Sequence, residues 1–175
     1  MKSEFRCCNS GFTIVELLLF MTINSLLATI ALPSLITQAN KAKQSEAKTI
    51  VGAMNRAQQA YYLENRNVFA PMSNFKGLGL GIATQTKNSR YGILGGGVGQ
   101  SFVTNQAIPS RPNSPLKAYI GGVAAVKQKG TKDIWTMAVL CEADKVPANG
   151  GIMSGIVTPR ANAAPLCPAR TTQIK

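Results

Sequence analysis

The sequence has no histidine, only 7 Asp+Glu against 19 Lys+Arg, and a single tryptophan. Without an imidazole that titrates near neutrality, and with carboxylates this sparse, the chain is poorly equipped for general acid–base catalysis or for holding transition metals. No nucleophile stands at a recognisable spacing from a base, so neither enzymatic activity nor a cofactor is expected. The runs Gly77-Leu78-Gly79-Leu80-Gly81 and Gly95-Gly96-Gly97 lack the Gly-Lys-Ser/Thr ending of a P-loop and the spacing of a dinucleotide-binding turn; they are read as turns and loops. At 175 residues there is room for one ordinary domain plus an appendage. The net charge of +12 suits either a solubilising surface or contact with polyanions such as nucleic acid, anionic headgroups or acidic polysaccharide.

The apolar residues are unevenly spread. A short, mostly polar stretch of eleven residues, MKSEFRCCNSG, precedes the run FTIVELLLFMTINSLLATIAL from Phe12 to Leu32. As a helix these positions extend roughly 30 Å, the thickness of a bilayer's hydrocarbon core. A secretory signal places small residues after its apolar core. Here the boundary residue Gly11 comes before it, so the order is reversed. A lipoprotein reading of Cys7 and Cys8 fails for the same reason, since no apolar segment precedes them. Inside the run stand Glu16 and Asn24. A charge within a membrane segment costs at least ~2.5 kcal/mol, so it needs a partner, a purpose, or a place near the interface from which to snorkel.

The pattern Gly11-Phe12-Thr13-Ile14-Val15-Glu16, set between a short basic leader and a long apolar run closed by Pro33, resembles the type IV prepilin signature. The resemblance implies cleavage between Gly11 and Phe12 by a prepilin peptidase and N-methylation of Phe12. It also implies assembly into a fibre around bundled N-terminal helices, with Thr13, Glu16 and Pro33 as assembly residues. Glu16 of one subunit would neutralise the freed amine of a neighbour's Phe12. Removing one member of such a buried pair costs about 3–5 kcal/mol, which makes the pair a register device. Pro33, lacking an N–H, should kink the helix or allow local melting; many pilins carry a glycine in that segment, where this chain has Asn24-Ser25.

Beyond the anchor, SLITQANKAKQSEAKTIVGAMNRAQQAYY (Ser34 to Tyr62) is similar to the second half of the spine helix in cyanobacterial type IV pilins and pilin-like G/H proteins, above all at SEAK and at NRAQQ followed by aromatics. Periodicity supports a helix independently: Ala47, Ile50, Val51, Met54, Ala57 and Tyr61 form one apolar stripe. The fold expected is α+β: a long N-terminal spine helix, transmembrane in its first half and amphipathic in its second, packed on a small antiparallel β-sheet with a disulfide-closed C-terminal loop. The expected organisation is a leader at 1–11, a membrane and fibre-core helix at 12–33, an amphipathic spine at 34–65 and a globular head at 66–175.

In the head, Ala118–Lys127 and Asp133–Glu142 read as a hairpin joined through Gly130, with weaker strands at Tyr91–Leu94 and Ile152–Val157. Both faces of Asp133–Glu142 are apolar enough to be covered, and Trp135 is read as a core aromatic rather than a ligand-stacking one. If the leader is removed, two of the four cysteines go with it, leaving Cys141 and Cys167. For an exported domain a disulfide between them is the default, with free thiols in a redox or metal role as the alternative. The resemblance implies the same bridge, closing an exposed C-terminal loop.

Loss of Lys2, Glu4 and Arg6 would leave 17 basic and 6 acidic residues, a net +11 that a fibre would repeat many times. The resemblance implies a structural pilin, held in the inner (plasma) membrane as precursor and moved to an extracellular fibre serving adhesion, twitching motility or DNA uptake. Its partners would be other pilin subunits, the prepilin peptidase, the pilus assembly machinery and the membrane, with DNA or anionic surfaces as further candidates. A pseudopilin of a type II secretion system shares the N-terminal signature. A solitary membrane-anchored DNA- or glycan-binding protein would need neither Gly11 nor Glu16 where they stand.

Overall fold

The computed structural model describes residues 12–127, 130 and 133–174; Gly11 and the rest of the expected leader, with most of the Gln128–Lys132 connection, lie outside the described residues. The chain forms two compact units, one ending at Ala39 and one running from Asn40 to Lys175. The helix α1 (Ile14–Glu64) contributes to both.

In the first unit α1 carries Pro33 in its interior. The helix is bent between Thr29 and Leu32, just ahead of the proline whose missing N–H deprives the Thr29 carbonyl of its helical partner. No single helix among the described residues is long and apolar enough to cross a membrane. The bent pair Ile14–Thr29 and Leu32–Glu64 together meet that criterion of length and composition.

The second unit is built on an antiparallel five-stranded sheet in the order β1-β2-β3-β4-β7. Its strands are β1 (Ser89–Gly95), β2 (Phe102–Pro109), β3 (Tyr119–Lys127), β4 (Ile134–Ala143) and β7 (Thr171–Gln173). The C-terminal part of α1 lies on one face. Ala47, Val51 and Met54 of the expected stripe are buried there with Tyr91, Ile93, Val103, Ala107, Tyr119 and Val123, while Ile50, Ala57 and Tyr61 are half-buried beside them. A second cluster, Ile120, Val139, Cys141 and Val157, lies under the C-terminal segment on the other face. The expected hairpin of β3 and β4 is present, pairing Tyr119 with Glu142 and Lys127 with Ile134.

Two expectations need correction. Ile152–Val157 is irregular, and a short hairpin of β5 (Thr158–Arg160) and β6 (Ala163–Leu166) follows it instead. Trp135 is 60 % exposed, and Ile134 and Met137 are exposed with it, so the first half of β4 is not the doubly covered strand its composition suggested. Apolar alternation says which residues share a face, but not how far along the strand the covering layer reaches. The central strand β2 has no apolar signature in the sequence, because Thr104, Asn105 and Gln106 break its pattern, yet all three are buried.

Candidate anchoring and assembly site

Phe12 and Thr13 precede the first turn of α1, and the geometry there is a capping box. Thr13 is the N-cap, and its Oγ1 accepts the Glu16 backbone N–H at 3.2 Å. The Glu16 carboxylate reaches back to the Thr13 N–H at 3.3 Å and accepts the Thr13 hydroxyl at 3.2 Å. Two N–H donors that a helix start leaves unsatisfied are thereby paired reciprocally, and the carboxylate also favours the positive end of the helix dipole. The Thr-x-x-Glu spacing of the sequence carries this local role for the carboxylate, apart from the pairing with a neighbour's amine that the resemblance implies. Within one chain Glu16 already has partners, and none of them depends on the residues before Phe12.

Beyond this cap the large apolar side chains are exposed, from 43 % at Leu17 to 78 % at Ile14, continuing through Leu35 and Ile36. The polar side chains between them turn inward onto the helix's own carbonyls. Thr22 Oγ1 donates to Leu19 (2.9 Å), Asn24 Nδ2 to Phe20 (2.7 Å), Ser25 Oγ to Met21 (2.8 Å) and Thr29 Oγ1 to Leu26 (2.7 Å). Thr37 Oγ1 does the same to the Pro33 carbonyl at 3.0 Å. Each back-bond satisfies a donor that hydrocarbon would leave bare, so these five side chains interrupt the helix's apolar surface less than their chemistry suggests.

In the second unit the polar residues of NRAQQ explain what the apolar stripe cannot. Asn55 Nδ2 donates to the Val139 carbonyl at 2.9 Å, and its Oδ1 accepts from Asn105 Nδ2 at 2.9 Å. Gln58 pairs twice with Ala70, giving Nε2 to its carbonyl and taking its N–H, both at 2.9 Å. Gln59 Nε2 donates to the Thr136 carbonyl at 3.1 Å. Amides thus act as stand-in strand partners that fix the helix in one rotation and register, at places where burial without a partner would cost about 1–3 kcal/mol each.

The centre of the sheet is thin by design of its sequence. Gly121 lies under α1: a Cβ there would meet the Asn55 side chain and come within 2.7 Å of Val51. Its neighbour Gly122 faces the opposite side, where a Cβ would stand 2.5 Å from Val157. Beside them on β2, Asn105 reaches the helix, while Gln106 Nε2 donates to the Gly155 carbonyl (3.0 Å) and Thr104 Oγ1 accepts the Val157 N–H (3.2 Å). Two glycines let the layers approach, and three polar residues bind them.

Cys141 on β4 is disulfide-bonded to Cys167. The bridge closes a segment holding Pro147, Pro159, Pro165 and the β5–β6 hairpin. Just beyond it β7 joins the edge of β4, and the Ile174 N–H donates to the Leu140 carbonyl at 2.9 Å. At the margin of α1, Lys117 pairs with Glu142, which also accepts the Tyr119 hydroxyl at 3.1 Å. Burial, reinforced by the Glu142 charge and that hydrogen bond, pushes the Tyr119 phenol well above its ordinary value. Among the described residues no group of three His, Cys, Asp or Glu is arranged to hold a metal.

A helix laid on an antiparallel sheet, with an apolar N-terminal extension to the helix and a disulfide near the C-terminus, is the arrangement of a pilin-like structural protein. Residues 44–168 match the family described as type IV pilin-like G and H, and the chain belongs to that family. It is also 35 % identical over 106 residues to the type IV major pilin protein PilA of Myxococcus xanthus (strain DK1622). That match covers 60 % of this chain and 46 % of the relative, so the chain spans about half the length of the curated protein it resembles. No solved structure matches it.

Proposed function

We propose that the chain is a type IV prepilin, cut between Gly11 and Phe12, N-methylated at Phe12 and assembled from the inner membrane into an extracellular fibre as a structural subunit. The observation that carries this reading is the exposed apolar helix from Phe12 to Ile36, in which Thr22, Asn24, Ser25 and Thr29 donate to the helix's own backbone. Such a surface is costly in water and is relieved first by lipid and then by the helices of other subunits. The similarity to a major pilin favours a fibre subunit over a secretion pseudopilin. In this reading 12–33 is the membrane and fibre-core segment, Pro33 gives it a bend for packing, and the second unit is the displayed head.

The test is mass spectrometry of filaments sheared from the cell surface. The chain should be recovered there beginning at methylated Phe12, and a bulky replacement of Gly11 should leave uncut precursor in the membrane. Recovery of a chain beginning at Met1, or after the apolar run, rejects the reading.

A further inference from the structure

A cleft of about 220 Å³ opens between the start of the head's helix and two loops of the head, lined by Asn40, Lys43, Lys87, Asn88, Arg111 and Ser114. Three cations converge on it and no carboxylate lines it. Among the described residues none of the three forms a salt bridge. The neutral groups present donors as well. The Ser114 oxygen accepts the Leu116 N–H at 3.1 Å, a bond that does not use its O–H proton. Asn40 and Asn88 add amides. Like charges brought together repel, and a dianion or phosphodiester among them turns that repulsion into attraction. An arginine fork beside lysine ammoniums is the donor set that phosphate oxygens favour.

We infer that this cleft binds the phosphate of an anionic lipid headgroup while the chain is in the membrane. The lipid source rests on the membrane anchoring proposed above, and the chain's connectivity favours it over nucleic acid. Lys43 stands seven positions beyond Ile36, the last of the exposed large apolar side chains in that run, and ten beyond Pro33, where the proposed membrane segment ends. That is about 10–15 Å of helix. Headgroups occupy roughly the first 5–8 Å outside the hydrocarbon, within reach of a lysine or arginine stem. The site would hold the precursor's head down on the bilayer and release it when the subunit leaves for a fibre that contains no such surface.

The experiment uses the full-length chain reconstituted into vesicles of phosphatidylcholine, with and without phosphatidylglycerol, and measures the rate at which an amine-reactive label modifies individual lysines. Lys41 is the internal reference: it is exposed and lies two residues from Lys43, on the opposite side of the helix. Phosphatidylglycerol should slow labelling of Lys43 and Lys87 several-fold relative to Lys41. A double Lys87→Glu, Arg111→Glu variant, altered only at exposed positions, should lose that protection at Lys43, roughly fivefold per cation. Arg160→Glu, on β5, should keep it. Flotation reads the anchoring separately, since the chain should float with both kinds of vesicle. Failure to float with either rejects the anchoring and the lipid source with it. Flotation without selective protection rejects the cleft alone. Protection by inorganic phosphate or by a single-stranded oligonucleotide, where phosphatidylglycerol gives none, keeps an anion site but overturns its assignment to lipid.

Discussion

At the scale of single residues, Glu16 has two separable roles. Its capping box needs an acceptor at that spacing, which glutamine also supplies, whereas pairing with a neighbour's amine needs the charge. Glu16→Gln should therefore keep the helix start, while Glu16→Ala loses it at about 1 kcal/mol. Both variants should enter the membrane normally. If charge pairing governs assembly, both should be depleted from filaments relative to precursor; filaments of Glu16→Gln at normal abundance would show that the cap is sufficient. The paired glycines of β3 offer a second contrast. Gly121→Ala pushes on Val51 and Asn55 beneath the helix and should cost about 1–3 kcal/mol in the head's thermal unfolding. Gly122→Ala pushes on Val157 instead, and limited proteolysis should show new cuts inside the segment closed by the disulfide. Identical proteolytic maps for the two variants would contradict the two-faced packing.

Among elements, the C-terminal segment is held more firmly than its sequence suggests. Its loop is rich in proline and glycine, and the chain-entropy account assigns roughly 3–4 kcal/mol to a bridge closing about 27 residues. The structure adds non-covalent ties on both sides of Cys167, in the Val157 and Gly155 contacts with β2 and in the pairing of β7 with β4. Cys167→Ser should thus lower stability by about 2–4 kcal/mol without freeing the segment as a disordered tail. Hydrogen exchange on the variant should still find the Val157 amide protected; loss of that protection would make the disulfide the sole tie. Chain order concealed these ties, because the partners in each (Thr104 and Val157, Gln106 and Gly155, Glu142 and Thr172) are far apart in sequence and meet only in the folded chain. The helix, by contrast, was legible from its stripe, although the stripe alone did not predict that Asn55 and Gln58 would be buried among apolar neighbours.

For the whole molecule, the alkaline limit of stability follows from the head's tyrosines. Burial raises Tyr62, Tyr91 and Tyr119, with Glu46 adding to the effect at Tyr91 and Glu142 at Tyr119. Folding therefore favours the protonated phenols. Their contribution is fully present below the unfolded value of about 10, and it is lost as pH rises from there through the folded values. Thermal melts of the full chain in neutral detergent should show a midpoint that falls steeply above about pH 10. Tyr119→Phe should make that fall shallower, even though it loses the hydrogen bond to Glu142. An unchanged slope would mean that Tyr119 ionises as easily folded as unfolded.

The sequence by itself determined the features that depend on neighbours along the chain: the apolar run and the helix carrying it, the cap spacing from Thr13 to Glu16, the stripe from Ala47 to Tyr61, and the β3–β4 hairpin. Each is a periodicity or a short-range geometry, so a linear pattern suffices to encode it. The tertiary structure alone decided which polar residues are interior. Thr104, Asn105 and Gln106 resemble a loop until Asn55, Gly155 and Val157 arrive from other elements to hydrogen-bond with them. It also decided that Trp135 lies outside, because exposure depends on where the covering layer stops. The convergence of Lys43, Lys87 and Arg111 has the same origin: three cations spread over the sequence become one site only when the helix and loops of the head fold together.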